Sequence, residues 1–140
     1  MEIINRNKLD DVEGTLFDYV ELMGSTFQSN PIITSGGRSK QDQIRIYKKK
    51  FGKDWEDHIA WNSAHLFEPG KTKAQAVDFR IQDVFPTKIH AITLDLVDMF
   101  NIKGIGLDIF NNYLHVDRKD RGMKNVLLWI YERSGEIVYL

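Results

Sequence analysis

The chain has 140 residues, 42% of them apolar and 28% charged, a composition that supports one modest hydrophobic core and excludes wholesale disorder. Nineteen lysines and arginines against twenty acidic residues leave a net charge of -1, which argues against a protein built to coat nucleic acid. There is no cysteine, so disulfides, thiolate-bound zinc, iron–sulfur clusters and thiol nucleophiles are excluded, and any metal must sit on His, Asp or Glu.

Met1 to Lys8 lacks the basic start and apolar run of a signal peptide. Leu9, Val12, Leu16, Phe17, Val20 and Met23 recur at helical spacing and predict a first amphipathic helix over 9–27. Pro31 follows its end, and Ile32-Ile33-Thr34 reads as a short strand leading into the turn Ser35-Gly36-Gly37-Arg38. Ser39 is placed to cap a second helix that carries Ile44, Ile46 and Tyr47 and stops at Phe51-Gly52. Residues 54–67 start as helix and end as loop, and Pro69-Gly70 marks a turn. Residues 76–81 alternate as a strand. Phe85-Pro86 then opens a third helix, with Ile89, Ile92, Leu96, Met99 and Phe100 as its apolar stripe. Strands are expected at 104–110 and 113–118 around a two-residue Asn111-Asn112 turn, and at 126–132 and 136–140 as a hairpin about Ser134-Gly135. Val126 to Tyr131, the most apolar short run, is too brief to span a bilayer. With helices first, antiparallel strands mostly last, and no repeat or linker, the expectation is a single α+β domain over 1–140, made in the cytoplasm.

Four histidines bound the chemistry. His58 lies among charged residues and His90 beside an apolar stripe, and for both a surface or hydrogen-bonded structural role is the simplest reading. His115 lies in Tyr113-Leu114-His115-Val116-Asp117, where strand alternation sends Leu114 and Val116 to one face and His115 with Asp117 to the other. His65 stands in Asn62-Ser63-Ala64-His65-Leu66, before an irregular loop from which the chain returns through Gln75-Ala76-Val77-Asp78-Phe79. Two histidines and one carboxylate are the protein ligands of a hydrolytic zinc centre, which leaves a fourth position for water. Asp78, flanked by Val77 and Phe79, is the natural carboxylate. Arg38, after its glycine pair, is placed to reach a substrate carboxylate. Solvated strand faces and an exposed turn arginine would carry the same residues.

The order of these fragments resembles a family. Ser35-Gly36-Gly37-Arg38-Ser39 with Gln43 and Tyr47 is similar to the "SGYRS…Q…Y" stretch of the zinc D-alanyl-D-alanine peptidases and phage L-alanyl-D-glutamate endolysins. Ser63-Ala64-His65 with Ala76-Val77-Asp78 resembles the two ends of their "SxHxxGxAxD" motif. Gly104-Ile105-Gly106, Leu114-His115-Val116-Asp117 and Trp129 resemble their closing "G-x-G…HVD…W" segment. The resemblance implies one Zn2+ held by His65, Asp78 and His115 on the small α+β fold shared with the hedgehog signalling domain, N-terminal helices packed on a mainly antiparallel sheet. It implies that Arg38 contacts a substrate carboxylate or the scissile carbonyl and that Gln43 and Ser63 line the site. The implied substrate is a peptidoglycan stem peptide, cut at a D-amino-acid amide by metal-assisted hydrolysis, with an acidic residue passing the proton to the leaving amine.

Two positions depart from that pattern. The family motif sets its first His and Asp seven positions apart, whereas His65 and Asp78 are thirteen apart, with the additional residues lying within 67–75. Many members also place a catalytic Glu or Asp three residues before the last His, and here that position is Asn112, which cannot shuttle a proton. Asp117 is the expected substitute as general base, with Asp108 and Asp120 behind it, or else a partner that only orients a ligand. Three functions follow from these readings: a zinc peptidase of the cell wall, phage-type if virion-borne or released; a zinc-binding module of the same fold without catalysis; and a structural or virion protein without metal.

Overall fold

A computed structural model describes residues 1–140. Its elements are a 3₁₀ turn (Arg6–Leu9), α1 (Gly14–Phe27), β1 (Pro31–Ser35), α2 (Lys40–Phe51), a second 3₁₀ turn (Gly52–Asp54), α3 (Trp55–His58), β2 (Ala76–Ile81), α4 (Pro86–Asp95), α5 (Val97–Phe100), β3 (Gly104–Asp108), β4 (Tyr113–Asp117), β5 (Leu127–Tyr131) and β6 (Ile137–Tyr139). The six strands form one mixed sheet in the order β1-β2-β4-β3-β5-β6, parallel only between β3 and β5. The α+β class expected from the sequence is therefore observed. No helix is long and apolar enough to cross a membrane.

The apolar alternates of the strands define the core. Ile33, Val77, Phe79, Ile105, Leu107, Leu114 and Val116 pack with Leu16, Tyr19, Val20 and Met23 of α1 and Ile89 of α4. Each such side chain contributes about 1.5–3 kcal/mol relative to exposure. Tyr19 is fully buried, and its hydroxyl is paired with Thr93 Oγ1 at 2.5 Å, so no polar atom is stranded there. Its ring meets Phe79 and Phe100 edge-on at centroid distances of 5.7 and 5.6 Å.

The second helix follows different physics. Ser39 caps α2 through a full capping box with Asp42, as its position suggested, and Lys48, Lys49 and Lys50 sit in the last turn against the negative helix end. Its fully buried residue is polar: Gln43, whose Nε2 donates to Ala60 O at 2.7 Å. Ile46 is exposed.

Three expectations are corrected. The first helix begins at Gly14, because Val12 leaves the helical path to bridge Ala74 and Ala74 N donates to Asp11 O at 2.7 Å. The third helix breaks at Leu96 (φ -109°, ψ 2°), which turns Met99 out to 70% exposure while Phe100 still reaches the core. β3 ends at Asp108, not 110, and a four-residue turn follows. Asp108 accepts hydrogen bonds from the backbone N and Nδ2 of Asn111 (2.8 and 2.9 Å), and Asn112 turns the chain at φ 54°. The terminal hairpin forms around Ser134-Gly135 as expected.

Candidate metal centre

The strand register lines up one row of side chains across the sheet. Ser35 pairs with Asp78, Asp78 with His115, His115 with Gly106, Gly106 with Trp129, and Trp129 with Tyr139. A bulge between Ile33 and Ser35 adds the residue that brings Ser35 opposite Asp78. Because strand neighbours alternate, this row lies on the face away from α1 and α4. It forms the floor of a cleft also lined by Arg38, Tyr47, Ser63, Tyr113 and Tyr131.

His65 reaches this floor from the loop before β2. Arg38 N donates to His65 O at 2.7 Å and Phe67 N to Arg38 O at 3.0 Å, which stitches the His65 segment to the chain just after β1. The ring Nδ1 of His65 lies 2.9 Å from Gly36 O. A carbonyl only accepts, so Nδ1 carries a proton. Gly36 is needed there, since a Cβ would overlap the carbonyl of Lys8. His65 Nε2 stands 3.3 Å from Asp78 Oδ1, and His115 Nδ1 donates to the same oxygen at 2.7 Å. The ligand atoms of His65, Asp78 and His115 all lie within 4.8 Å of one another.

Electrostatics tighten this cluster. Burial alone would push the Asp78 carboxyl up, but the charges and hydrogen bonds of His65 and His115 hold it well below the usual carboxylate range. Burial would likewise lower His115. The Asp78 charge and the hydrogen bonds to Asp117 and Asp78 outweigh it and push His115 up to about 9. In the metal-free protein His115 therefore donates from both ring nitrogens.

No family model, curated protein or solved structure matches the chain. What the site can hold follows from its donors. Two imidazoles and one carboxylate converge on one point, and each imidazole has its other nitrogen bonded to an acceptor that fixes the ring, the arrangement that orients metal-binding histidines. The buried cluster of His65, Asp78 and His115 could hold a metal ion.

Asp117 is the acceptor behind His115. Fully buried, it accepts from His115 Nε2 at 2.7 Å, from Lys119 N at 3.2 Å and from both terminal nitrogens of Arg121 at 2.7 and 2.8 Å. Burial would raise its pKa, but Arg121 and His115 hold it well below the usual range. The Gly104-Ile105-Gly106 spacing now has a physical cause. A Cβ on Gly104 would sit 2.7 Å from Asp117 Oδ2 and 2.9 Å from Arg121 Nη1, and one on Gly106 would collide with the Trp129 indole. One glycine makes room for the Asp117–Arg121 pair. The other lets Trp129 lie beside His115, ring centroids 5.3 Å apart.

Arg38 lines the cleft and is bound by neutral acceptors alone, Gln43 Oε1 at 3.1 Å and Ser35 Oγ at 2.9 Å. Gln43 acts beneath it as a buried strut, while Ser63 lines the cleft and its Oγ accepts from His65 N at 3.2 Å. The remaining candidates lie elsewhere. Asn112 lines a separate depression with Arg80 and Phe85, Asp108 is bonded within its turn, and Asp120 is exposed and accepts from Gly122 N. His58 is exposed and stacks on Phe51, whereas His90 has a buried Nε2 without a partner, unlike the hydrogen-bonded residue expected, and burial lowers its pKa.

Sequence reasoning does not single out Arg121, Tyr113 or Tyr131. Arg121 carries no signal beyond its spacing from Asp117, while Tyr113 is legible as the alternate preceding His115. Both phenols are held neutral: burial above all raises each, and the charges of Asp78 and Asp108 add to it, Tyr131 to about 12 and Tyr113 further.

Proposed function

We propose that this chain is a zinc-dependent hydrolase that cuts a D-amino-acid amide in peptidoglycan stem peptides, on the fold of the zinc D-alanyl-D-alanine peptidases and L-alanyl-D-glutamate endolysins. The observation that carries the reading is the convergence of His65 Nε2, Asp78 Oδ1 and His115 Nδ1, with both back nitrogens of the imidazoles occupied. Zinc bound there by three protein ligands would supply Lewis acidity and lower the pKa of a water in its open position to about 7.

The protein's own groups take distinct parts. Asp117 holds the Nε2 proton of His115 and thereby turns Nδ1 toward the metal. Its buried, fourfold-bonded carboxylate suits an orienting part better than that of a general base. Arg38, with no acidic partner, has guanidinium donors to give a substrate carboxylate or the scissile carbonyl. Tyr113 and Tyr131 present neutral hydroxyls to negative charge developing in the same cleft.

Metal analysis of protein purified without chelator, followed by incubation with defined muropeptides and mass identification of the products, tests the proposal. About one zinc per chain and a single cleaved amide are expected, with both lost in His115→Ala. Iron in place of zinc, or zinc unaffected by His115→Ala, would overturn it. A second reading, a zinc-binding module of the same fold without catalysis, draws on the absence of a free carboxylate in the cleft, where Asp78 and Asp117 are both engaged. Zinc bound with no muropeptide cut would decide for that reading.

A further inference from the structure

Past Ser63 and Ala64 the cleft opens into a second cavity of about 700 Å³. Its outer wall is formed by Phe67, Glu68 and Thr72, residues of the run that lengthens the interval between His65 and Asp78. That run is a built structure. Lys71 N and Thr72 N donate to Glu68 O at 2.9 and 3.0 Å, Glu68 N donates to Thr72 Oγ1 at 2.8 Å, and Gly70 turns the chain at φ +76°. Gln75 N then closes it onto Ala64 O at 2.8 Å, so the wall is anchored one residue from His65.

The cavity is cationic. Lys40 and Lys119 both line it, and neither has a carboxylate partner. The Lys40 ammonium rests 5.5 Å from the centroid of the Trp61 ring, and Lys119 Nζ donates to Asn62 O at 2.5 Å. Trp61 is 48% exposed, a large apolar surface beside the two cations. Glu68, the one acid of the cavity, faces Lys71 at 3.8 Å. Two uncompensated ammonium groups next to an open indole suit a carboxylate carried on an aliphatic arm.

We infer that this cavity is a substrate subsite, built by the 67–75 run, that takes the free α-carboxylate of a γ-linked glutamate between Lys40 and Lys119 with its methylenes against Trp61. The inference rests on the stem-peptide reading above. It gives the lengthened loop a selective role, distinguishing stems with a free glutamate carboxylate from those in which it is amidated.

The test uses the protein as purified and N-acetyl-γ-D-glutamyl-L-lysine amide, which lacks both candidate scissile bonds and has a single free carboxylate, alongside its isoglutaminyl counterpart. Binding is followed by NMR at the Trp61 indole N–H. The acidic dipeptide should shift that resonance and bind about tenfold more tightly than the amidated one, the worth of one charge-assisted hydrogen bond. Lys40→Gln and Lys119→Gln should each erode the preference, and Lys119→Arg should retain it. Equal binding of the two dipeptides, or a preference that survives the double Gln variant, overturns the subsite. A protein that discriminates between them yet holds no zinc keeps the subsite and loses the hydrolase reading. A zinc-loaded enzyme that cuts muropeptides and binds both dipeptides alike loses only the subsite.

Discussion

Along β2, Val77 and Phe79 point into the core while Asp78 points into the cleft; along β4, Leu114 and Val116 do the same opposite His115 and Asp117. The apolar alternates are fully buried against α1 and α4. Their neighbours on the other face form a charged chain from Asp78 through His115 and Asp117 to Arg121. Desolvating such charges costs several kcal/mol each unless they are paired, and here each bonds the next. The contrast shows how a small domain carries a dense polar site: the core on one face holds the strands, and the strands hold Asp78, His115 and Asp117 on the other.

If the two faces are separable, substitutions on each should move different observables. The largest effect is expected from Phe79→Ala, which empties a fully buried ring site and should cost about 3–5 kcal/mol in denaturant unfolding, while the protein that remains folded keeps its metal. Metal loss from a still-folded Phe79→Ala protein would show that the faces are coupled. Next is Asp117→Asn, which should weaken metal affinity by about 10–100-fold in chelator competition, or about 1.4–2.7 kcal/mol. Unchanged affinity would mean that Asp117 does not orient His115. Arg38→Ala should cut muropeptide turnover about tenfold, or about 1.4 kcal/mol, and leave the melting temperature nearly unchanged. An unfolded Arg38→Ala protein would make the guanidinium a structural strut between Gln43 and Ser35.

A separate test is the pH dependence of stability. His115 is pushed up from 6.5 to about 9 in the metal-free fold, so its proton stabilises that fold fully below about 6.5. That contribution should fade as pH rises through 9, seen as a falling melting temperature of chelator-treated protein. Metal and proton compete for Nδ1, so metal-loaded protein should lack this trend and metal uptake at neutral pH should release protons. A metal-free melting temperature flat across this range would remove the His115 proton from the cluster.

Alternation and helical period are local, and they suffice to place His115 with Asp117 on one face and to mark Asp78 for anchoring by Val77 and Phe79. The same period makes the first helix too long, because Leu9 and Val12 keep it while serving a 3₁₀ turn and a bridge to Ala74, a partner no local window contains. The Asn111-Asn112 pair has the composition of a tight turn, but the Asp108 side chain captures Asn111 and widens it. Motif order puts His65, Asp78 and His115 together despite their spacing, since the intervening run closes between Ala64 and Gln75. Arg121 escapes because its partner lies over Gly104, and only the register of β3 against β4 reveals the gap it fills.

The span of chain behind each bond in the cluster also has a consequence for assembly. His65 meets Gly36 across 29 residues, and His115 meets Asp78 across 37. Both contacts close long loops, at a greater cost in chain entropy than the local turns of a helix such as α1. The ligand set is therefore expected late in folding, since it is complete only when β4 has docked between β2 and β3. A metal ion offered during refolding should find its three donors in the final kinetic phase, which makes metal capture a clock for the arrival of the native topology.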